Sequence, residues 1–347
     1  MKGITKPVLV LKIGTSSITL DDGTLDEPVI VHLVRQIAQL HQHYHIILVS
    51  SGAVGVGKTF IHNYSGKIGE RKAAAAIGNP ILINKYQGFF SPYKIPIAQS
   101  LCERQHFSDR KKFLQLRETI HLLWREGIIP IANENDVVSD LELKFSDNDE
   151  LATLLAVGLD AEVLLLGTSV LGLEDPEGNL VKELKEIDAS VFGWARKETS
   201  KAGLGGMISK LTFARMATRM GIKVVIFGTR EEDGIKSAIN GTTGTVCLPS
   251  QKQLSSRKKW LASGSLVHGR ITVDPGAFEA LKKGKSLLAV GVQQVKNDFE
   301  AGEVIELVAG EEIPFAVAQS SLSSEELRAR VGERNLTVAH ADDIVLI

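Results

Sequence analysis

Two lysines and several carboxylates of this 347-residue chain stand where short apolar runs end. Lys12 lies near the end of the apolar run VLVLKI and is followed by the small flexible turn Gly14-Thr15-Ser16. A fully buried, unpaired ammonium costs several kcal/mol, so Lys12 is expected to face a ligand or solvent. A phosphate is a suitable partner, because the turn offers backbone N–H groups and hydroxyls beside the cation. A solvated lysine on an edge strand is the alternative that these residues alone leave open.

Other groups that could do chemistry recur further along the chain. Most of the Asn and Asp runs have an ordinary explanation as turns or helix caps. In an α/β fold, however, they would converge at the carboxyl ends of the strands, where one ligand could touch them all. The groups are Ser50-Ser51-Gly52, Asn133-Glu134-Asn135-Asp136, Ser146-Asp147-Asn148-Asp149 and the glycine-rich helix start from Gly203 to Lys210.

One segment, GAVGVGKT from Gly52 to Thr59, matches the phosphate-binding pattern G-x-x-x-x-G-K-[ST]. A true phosphate-binding loop needs a sustained helix after its lysine and a separate strand that ends in a magnesium-binding Asp. Here Asn63-Tyr64-Ser65-Gly66 breaks the helix early, and Leu166 is followed by Gly167 rather than Asp. We therefore disfavour a phosphate-binding loop at this position.

The elements that must position these groups alternate between short apolar strands and longer amphipathic helices. This alternation predicts an α/β fold with a mostly parallel sheet covered by helices. The predicted strands are 8–13, 45–49, 95–98, 128–132, 163–166 and 223–227, and the predicted helical stretches are 29–42, 73–76, 113–125 and 209–220.

The composition changes at 251–259, QKQLSSRKK, which is polar and charged and is typical of a linker. Beyond it, short strand-like runs joined by Gly-containing turns predict a small β-rich domain. We expect a catalytic domain at 1–252 and this second domain at 259–347. Its predicted strands are 265–274, 286–295, 302–308 and 344–347, and its predicted helical pieces are 277–283 and 324–330.

Composition narrows the class of protein. The formal net charge of −1 argues against a chain built to coat nucleic acid or an anionic membrane. The two cysteines, Cys102 and Cys247, are far apart and have no metal-type spacing, so a disulfide scaffold and a zinc site are not expected. The sequence shows no signal peptide and no apolar run of about 18 residues, so we expect a cytoplasmic protein without a membrane span.

Six motifs follow one another along the chain: KIGTS from Lys12, VSSGAVGVG from Val49, AAAAIGN from Ala73, NEND from Asn133, FSDND from Phe145 and GLGGMISK from Gly203. In this order they closely resemble the glutamate 5-kinases, members of the amino acid kinase family. The C-terminal segment GRITVDPGAFEAL, Gly269 to Leu281, resembles the PUA domain that many of them carry. The resemblance covers nearly the whole chain and implies an amino acid kinase-like sheet sandwiched by helices, followed by a PUA-like domain.

The resemblance implies ATP-dependent phosphorylation of the side-chain carboxylate of L-glutamate to L-glutamyl 5-phosphate, the first step of proline biosynthesis. A carboxylate nucleophile is already ionised at neutral pH and requires no general base. Catalysis then depends on alignment and on cancelling charge at the transferring phosphoryl group. ATP is expected as co-substrate, with Mg²⁺ carried largely by its phosphates. The sequence leaves protein ligands of the metal unknown.

The residue roles follow from matching this sequence to the family motifs. The resemblance assigns catalysis to Lys12, Lys210 and Asp149, with Asp149 holding the two lysines. Glutamate would contact Ser51, Gly52, Asn133, Asp136, Asp147 and Asn148, with Asp136 on the ammonium group. The nucleotide would contact Lys12, Gly14, Thr168, Ser169, Gly203, Leu204, Gly205, Gly206, Met207 and Lys210.

Two departures from the family pattern affect the nucleotide side. The segment Thr168 to Glu174 lacks the acidic residues that these kinases carry before the glycine, so the contacts to base and ribose are expected to differ. Leu204 replaces a common Thr and removes one hydroxyl near the phosphates. Neither change touches Lys12 or Lys210, and we expect activity to be retained.

Alternatives from other classes stay open. The PUA-like domain suggests an RNA-binding protein with a divergent kinase domain, but residues 253–347 carry 11 Lys plus Arg against 13 Asp plus Glu, a net charge of 11 − 13 = −2. RNA-binding domains are normally basic, which argues against RNA as a partner. A kinase of a related acidic amino acid is a further alternative. The family also suggests a homo-oligomer and proline as a candidate feedback inhibitor.

Overall fold

The computed structural model describes residues 6–20, 22–138, 147–197, 205–250, 267–310 and 314–346. Its contacts divide the chain into two units, Met1–His106 with Lys111–Lys252 and Phe107–Arg110 with Gln253–Ile347. The domain ends predicted at 252 and 259 stay a prediction, because 251–266 lie outside the described residues. No helix in the described ranges is long and apolar enough to cross a membrane.

The first unit is built on one eight-stranded sheet. Its strands are β1 (Val8–Ile13), β2 (His45–Ser50), β3 (Ile97–Cys102), β4 (Ile129–Glu134), β5 (Val163–Thr168), β6 (Glu183–Leu184), β7 (Lys223–Gly228) and β8 (Thr245–Cys247). They lie in the order β3-β4-β2-β1-β5-β7-β8-β6. All neighbours pair in parallel except β7 and β8, which are antiparallel. The mostly parallel sheet predicted from the sequence is therefore confirmed.

The central strands are buried along almost their whole length because they carry continuous apolar runs. In β1 every residue after Val8 is buried, and β2 is buried from Ile46 onward. Such runs are typical of parallel strands that are covered on both faces. The single charge within β1, Lys12, thus lies in a strand that otherwise excludes water.

Helices connect these strands and pack against the sheet. They are α1 (Thr15–Ile18), α2 (Glu27–Leu40), α3 (Ala53–Gly57), α4 (Ile68–Phe90), α5 (Gln105–Ser108), α6 (Arg110–Arg125), α7 (Asn148–Gly158), α8 (Ala189–Lys197), α9 (Gly205–Arg219) and α10 (Gly234–Asn240). Apolar residues of α2, α4 and α10 share one core with β1, β2, β4, β5 and β7. The helices α7 and α9 pack against each other.

Two glycines let α3 and α4 meet at backbone distance. A Cβ added at Gly78 would lie 1.8 Å from the carbonyl oxygen of Ala53, and one added at Gly57 would lie 1.8 Å from that of Ala74. Only a residue without a side chain fits such an approach. Gly57 of GAVGVGKT thus serves helix packing. The helix α3 ends after five residues, which agrees with the prediction that this segment is not a phosphate-binding loop.

The second unit is β-rich, as predicted. Its five-stranded sheet has the order β11-β9-β12-β13-β15, and β10 pairs with β14. The strands are β9 (Val267–Val273), β10 (Leu287–Leu288), β11 (Val292–Lys296), β12 (Val304–Val308), β13 (Ala316–Gln319), β14 (Thr337–Ala339) and β15 (Ile344–Leu346), and the helices are α11 (Pro275–Lys282) and α12 (Ser324–Ala329). A separate apolar core holds them together.

Several element predictions need correction. The strand predicted at 95–98 is β3, which begins at Ile97 and continues to Cys102. The helical stretch predicted at 73–76 is part of a 23-residue helix that continues through Pro80. The sequence did not predict several elements that are short or lack a clear apolar period. They are α1, where a flexible turn was expected, and α3, α5, α8, α10, β6, β8, β13 and β14.

Candidate active site

The candidate active site lies at the carboxyl ends of the parallel strands of the first unit. The chain leaves β1 at Ile13, β2 at Ser50, β4 at Glu134 and β5 at Thr168. Because parallel strands end at the same edge of a sheet, the polar groups that follow them are brought together. This edge gathers the residues that the motifs singled out.

At its centre, Asp149 contacts two lysines. Lys12 Nζ lies 2.6 Å from Asp149 Oδ1, and Lys210 Nζ lies 2.8 Å from Asp149 Oδ2. The carboxylate is 1% exposed, and the two lysines are nearly as buried. Lys12 is supplied by β1, Asp149 by the first turn of α7 and Lys210 by α9, so one carboxylate links three elements. We refer to Lys12, Asp149 and Lys210 as the charged triad.

The charged triad buries two lysines beside one carboxylate. Burial lowers the pKa of Lys12, which Asp149 opposes and Lys210 reinforces. Burial alone would raise the pKa of Asp149, but the two lysines outweigh it and hold the pKa of this carboxyl below its usual range. Asp149 is therefore ionised at neutral pH, and the two lysines beside it favour an anionic ligand.

The start of α7 is fixed by Asp147. This residue is the N-cap: its Oδ1 accepts from the backbone N–H groups of Asp149 at 2.8 Å and Glu150 at 3.1 Å. Such a cap satisfies N–H groups that have no partner within the helix. Its Oδ2 accepts from the hydroxyl of Ser209 on α9. Asp147 thus positions Asp149 and joins α7 to α9 beside Lys210.

A second group of side chains forms a chain of amides beside the charged triad. Asn148 Nδ2 donates to Ser51 Oγ at 2.7 Å and to Asn133 Oδ1 at 2.9 Å. Asn133 Nδ2 in turn donates to Asn79 Oδ1 at 3.1 Å. We refer to Ser51, Asn148, Asn133 and Asn79 as the amide chain. It connects the ends of β2 and β4 with α7 and α4.

Two turns bring backbone into the site. Gly52, directly after Ser51, has φ of 111°, a left-handed conformation that favours glycine. Gly14 follows β1, and a Cβ added there would lie 3.6 Å from Lys12 Nζ. Both turns therefore bring backbone close to the charged triad and the amide chain.

The other predicted site residues have the following positions. Asp136 lies in the turn after β4 and is half-buried. Thr168 ends β5, and Ser169 is exposed. Gly205 begins α9, with Gly206 and Met207 in its first turn. The predicted nucleotide contacts Gly203 and Leu204 lie outside the described residues.

Sequence reasoning missed three polar residues of this region. Asn79 was quoted within a motif but received no role, and Ser209 and the buried Glu150 were not singled out. Glu150 pairs with Arg104 at 2.9 Å. The signal that could have revealed Asn79 is an asparagine that interrupts the small and apolar residues of AAAAIGN in α4.

A comparison with protein-family models matches residues 7–228 to the amino acid kinase family. The chain belongs to the amino acid kinase family. A second match assigns residues 269–341 to the PUA domain, as the sequence predicted.

Relatives of this family member extend over almost the whole chain. Glutamate 5-kinase of Thermoanaerobacter sp. (strain X514) is 36% identical over 354 residues, which cover 97% of this chain and 95% of that protein. Glutamate 5-kinase of Dehalococcoides mccartyi (strain CBDB1) is 37% identical over 365 residues, 98% of each chain. The recognition made from the motifs is therefore confirmed.

Two solved structures have a similar fold. Carbamate kinase from Giardia lamblia bound to AMP-PNP has a TM-score of 0.52 at 17% identity and covers 71% of this chain and 99% of that chain. N-acetylglutamate synthase from Neisseria gonorrhoeae, complexed with coenzyme A and N-acetyl-glutamate, has a TM-score of 0.53 at 14% identity. That match covers 72% of this chain and 61% of the synthase chain. At this identity the likeness shows the fold alone.

Proposed function

We propose that this protein transfers the γ-phosphoryl group of ATP to the side-chain carboxylate of L-glutamate and forms L-glutamyl 5-phosphate, the entry step of proline biosynthesis. The observation that carries the proposal is the charged triad, with Lys12 and Lys210 on one buried carboxylate at the carboxyl end of the sheet. Relatives at 36% and 37% identity along nearly the full chain are named for this reaction.

The acceptor makes a general base unnecessary. The side-chain pKa of glutamate is about 4.3, so its carboxylate is an anion and a nucleophile at neutral pH. The barrier that the protein must lower is the meeting of two anions and the build-up of charge on the transferring oxygens. Lys12 would contact the terminal phosphates, and Lys210 would contact the phosphoryl group in transfer. Asp149 holds both ammonium groups at fixed positions.

The amide chain and its surroundings suit the glutamate molecule. Asn148 uses both N–H bonds within the amide chain, and its Oδ1 is buried with no hydrogen-bond partner among the described residues. That oxygen would accept from the substrate ammonium, together with the carboxylate of Asp136. Ser51 accepts from Asn148, so its own hydroxyl proton can be donated to a substrate carboxylate beside the Gly52 turn. Asn133 frames the pocket.

The nucleotide would lie between β5 and the start of α9. The first N–H groups of a helix have no partner within it and attract phosphate. Gly205, Gly206 and Met207 supply these groups in α9, and Gly14 leaves space beside Lys12. Thr168 and Ser169 would border the nucleotide at the end of β5.

Magnesium is expected to enter with the phosphates of ATP, where it would neutralise part of their charge. Of the acidic residues in this region, Asp149 is held by two lysines, and Asp147 accepts from Ser209 and from backbone N–H groups. Mg²⁺ prefers oxygen ligands and keeps several waters. The donors present therefore fit an ion held mainly by phosphate and water.

The test is ATP consumption by the purified protein with magnesium, with and without L-glutamate. Hydroxylamine traps an acyl phosphate as the hydroxamate, which reports the product itself. We expect hydroxamate only with glutamate, its loss in Lys210→Ala and its survival in Lys58→Ala. No hydroxamate with glutamate would overturn the proposal, and hydroxamate with aspartate instead would point to a related acidic amino acid.

The Asp136→Ala variant tests whether Asp136 binds glutamate rather than ATP. Loss of the anionic partner of the ammonium should raise the glutamate KM far more than the ATP KM. Equal increases in both would contradict the role given to Asp136. Homo-oligomerisation and inhibition by proline stay predictions that size-exclusion chromatography and an assay with added proline would test.

A further inference from the structure

The amide chain has a direction. Each of its three asparagines can present either a carbonyl oxygen or an NH₂ group to its neighbour. Asn148 donates to Asn133, and Asn133 donates to Asn79, so the hydrogen bonds between the asparagines run from Asn148 toward α4. The other N–H of Asn148 goes to Ser51, so the polar atom left without a partner at this end, among the described residues, is an acceptor, Asn148 Oδ1.

The orientations of the three amides are coupled. If Asn148 turned its carbonyl oxygen toward Asn133, two carbonyl oxygens would face each other unless Asn133 turned as well. Asn133 would then present its own carbonyl oxygen to the Oδ1 of Asn79. Two facing acceptors repel and leave buried polar groups without a partner, so the amides turn together or not at all.

The last member of the amide chain is Asn79 on α4. Asn79 is 6% exposed, and its Nδ2 is buried without a hydrogen-bond partner in the described part of the chain. It follows Gly78, whose backbone contact with Ala53 fixes this turn of α4 against α3. That contact fixes the backbone of α4 at this turn, and the carbonyl oxygen of Asn79 is the acceptor toward which Asn133 is oriented.

We propose that Asn79 is a positioning residue that sets the direction of the amide chain, so that Asn148 presents an acceptor to the α-ammonium group of the amino acid substrate. This inference rests on the proposed function and concerns how the same site selects an α-amino dicarboxylate over a dicarboxylate without the amine. Asn79 need not touch the substrate. It acts through Asn133 and Asn148.

The experiment compares glutamate with glutarate, which keeps both carboxylates and lacks the ammonium group. The ratio of the glutarate inhibition constant to the glutamate KM measures selectivity for the ammonium. In Asn79→Leu this ratio should fall by about tenfold, the effect of one lost hydrogen bond to a charged group. The ATP KM and the glutarate constant should stay close to their wild-type values.

Two further variants control the result. Asn79→Asp keeps an acceptor oxygen toward Asn133 and should retain the wild-type ratio, whereas Asn84→Leu makes the same change as Asn79→Leu at an exposed position of α4 and should have no effect. If Asn79→Leu does not fold, as judged by thermal unfolding, Asn79→Ala replaces it. The expected pattern is a lowered ratio in the Leu or Ala variant alone.

The outcomes separate this inference from the proposed function. A wild-type protein that forms no glutamate hydroxamate overturns the proposed function and the inference together. An active wild type in which Asn79→Leu leaves the ratio unchanged, or weakens glutamate and glutarate equally, overturns the inference alone. A lowered ratio in Asn79→Asp equal to that in Asn79→Leu would also contradict it, because direction would then not depend on the acceptor.

Discussion

The charged triad and the amide chain lie at the same edge of one sheet, yet they are built on different physical terms. In the charged triad, two carboxylate–lysine contacts, at 2.6 and 2.8 Å, pair a buried carboxylate with two cations. The amide chain is uncharged, and it leaves a buried acceptor and a buried donor without partners among the described residues. Charges supply strength without direction, whereas amides supply direction with little strength. Phosphoryl transfer needs the first property and amino acid selection needs the second.

The largest expected effect is from Asp149→Asn, because it leaves two buried lysines without their anion. We expect the free energy of unfolding to fall by about 3 kcal/mol and kcat to fall on the order of a hundredfold. Urea denaturation and the hydroxamate assay measure the two effects. Asp160→Asn is the matched control, because its ion pair with Arg117 is exposed and should change stability by less than about 1 kcal/mol.

The second-largest effect is expected for Asn133→Leu, which tests whether the amide chain contributes to substrate binding rather than to phosphoryl transfer. Asn133→Leu removes the two hydrogen bonds that Asn133 makes with Asn148 and Asn79. The glutamate KM should rise by about tenfold, with a smaller change in kcat and in the ATP KM. If Asn133→Leu instead lowered kcat as much as Asp149→Asn and left the glutamate KM unchanged, the amide chain would act on phosphoryl transfer, as the charged triad does, and not on binding.

A pH series distinguishes the charged group from the uncharged one. The lysines hold the pKa of Asp149 below its unfolded value of about 3.9. A depressed carboxyl pKa stabilises the folded state fully above the unfolded value, and this stabilisation is lost as the pH falls through the folded value. Unfolding free energy measured downward from pH 5 should therefore fall more steeply in the wild type than in Asp149→Asn, whereas Asn133→Leu should follow the wild type.

The smallest effect concerns a buried polar atom that serves no ligand. Thr153 lies on α7, the helix that carries Asp149, and its Oγ1 is buried without a partner among the described residues. Thr153→Val should raise the free energy of unfolding by about 0.5–1 kcal/mol and leave both KM values unchanged. Thr245→Val is the control, because Thr245 Oγ1 does have a partner: it accepts from the backbone N–H of Leu173 at 2.9 Å. In that variant the free energy of unfolding should fall by about 1 kcal/mol.

Much of the charged site was accessible from the sequence, because a lysine inside an apolar strand and an aspartate at a helix start are local signals. Lys12, Asp149 and Lys210 were named from their motifs, and parallel-sheet topology explains why they meet. The amide chain was only partly accessible. Its residues are far apart in sequence, and no local pattern states which way an asparagine amide points.

The full length of α4 was not predicted, because packing overrides the local preferences of its residues. Pro80 and Gly78 are signals that normally end a helix, yet α4 runs through both of them. The close approach of α3 and α4 makes Gly78 necessary, and burial of apolar residues such as Leu82 and Phe90 offsets the hydrogen bond that Pro80 removes. Neither compensation is visible before the two helices are placed side by side.

The backbone contact between α3 and α4 also determines how this site tolerates mutation. Ser51 and Gly52 lead directly into α3, and Asn79 follows Gly78 on α4, so both ends of the amide chain are carried by the two helices that this contact joins. A methyl group at Gly57 or Gly78 would force those helices apart. In a scan of all single substitutions, these glycines should therefore be as intolerant as the residues that bind the substrate, although neither of them meets it.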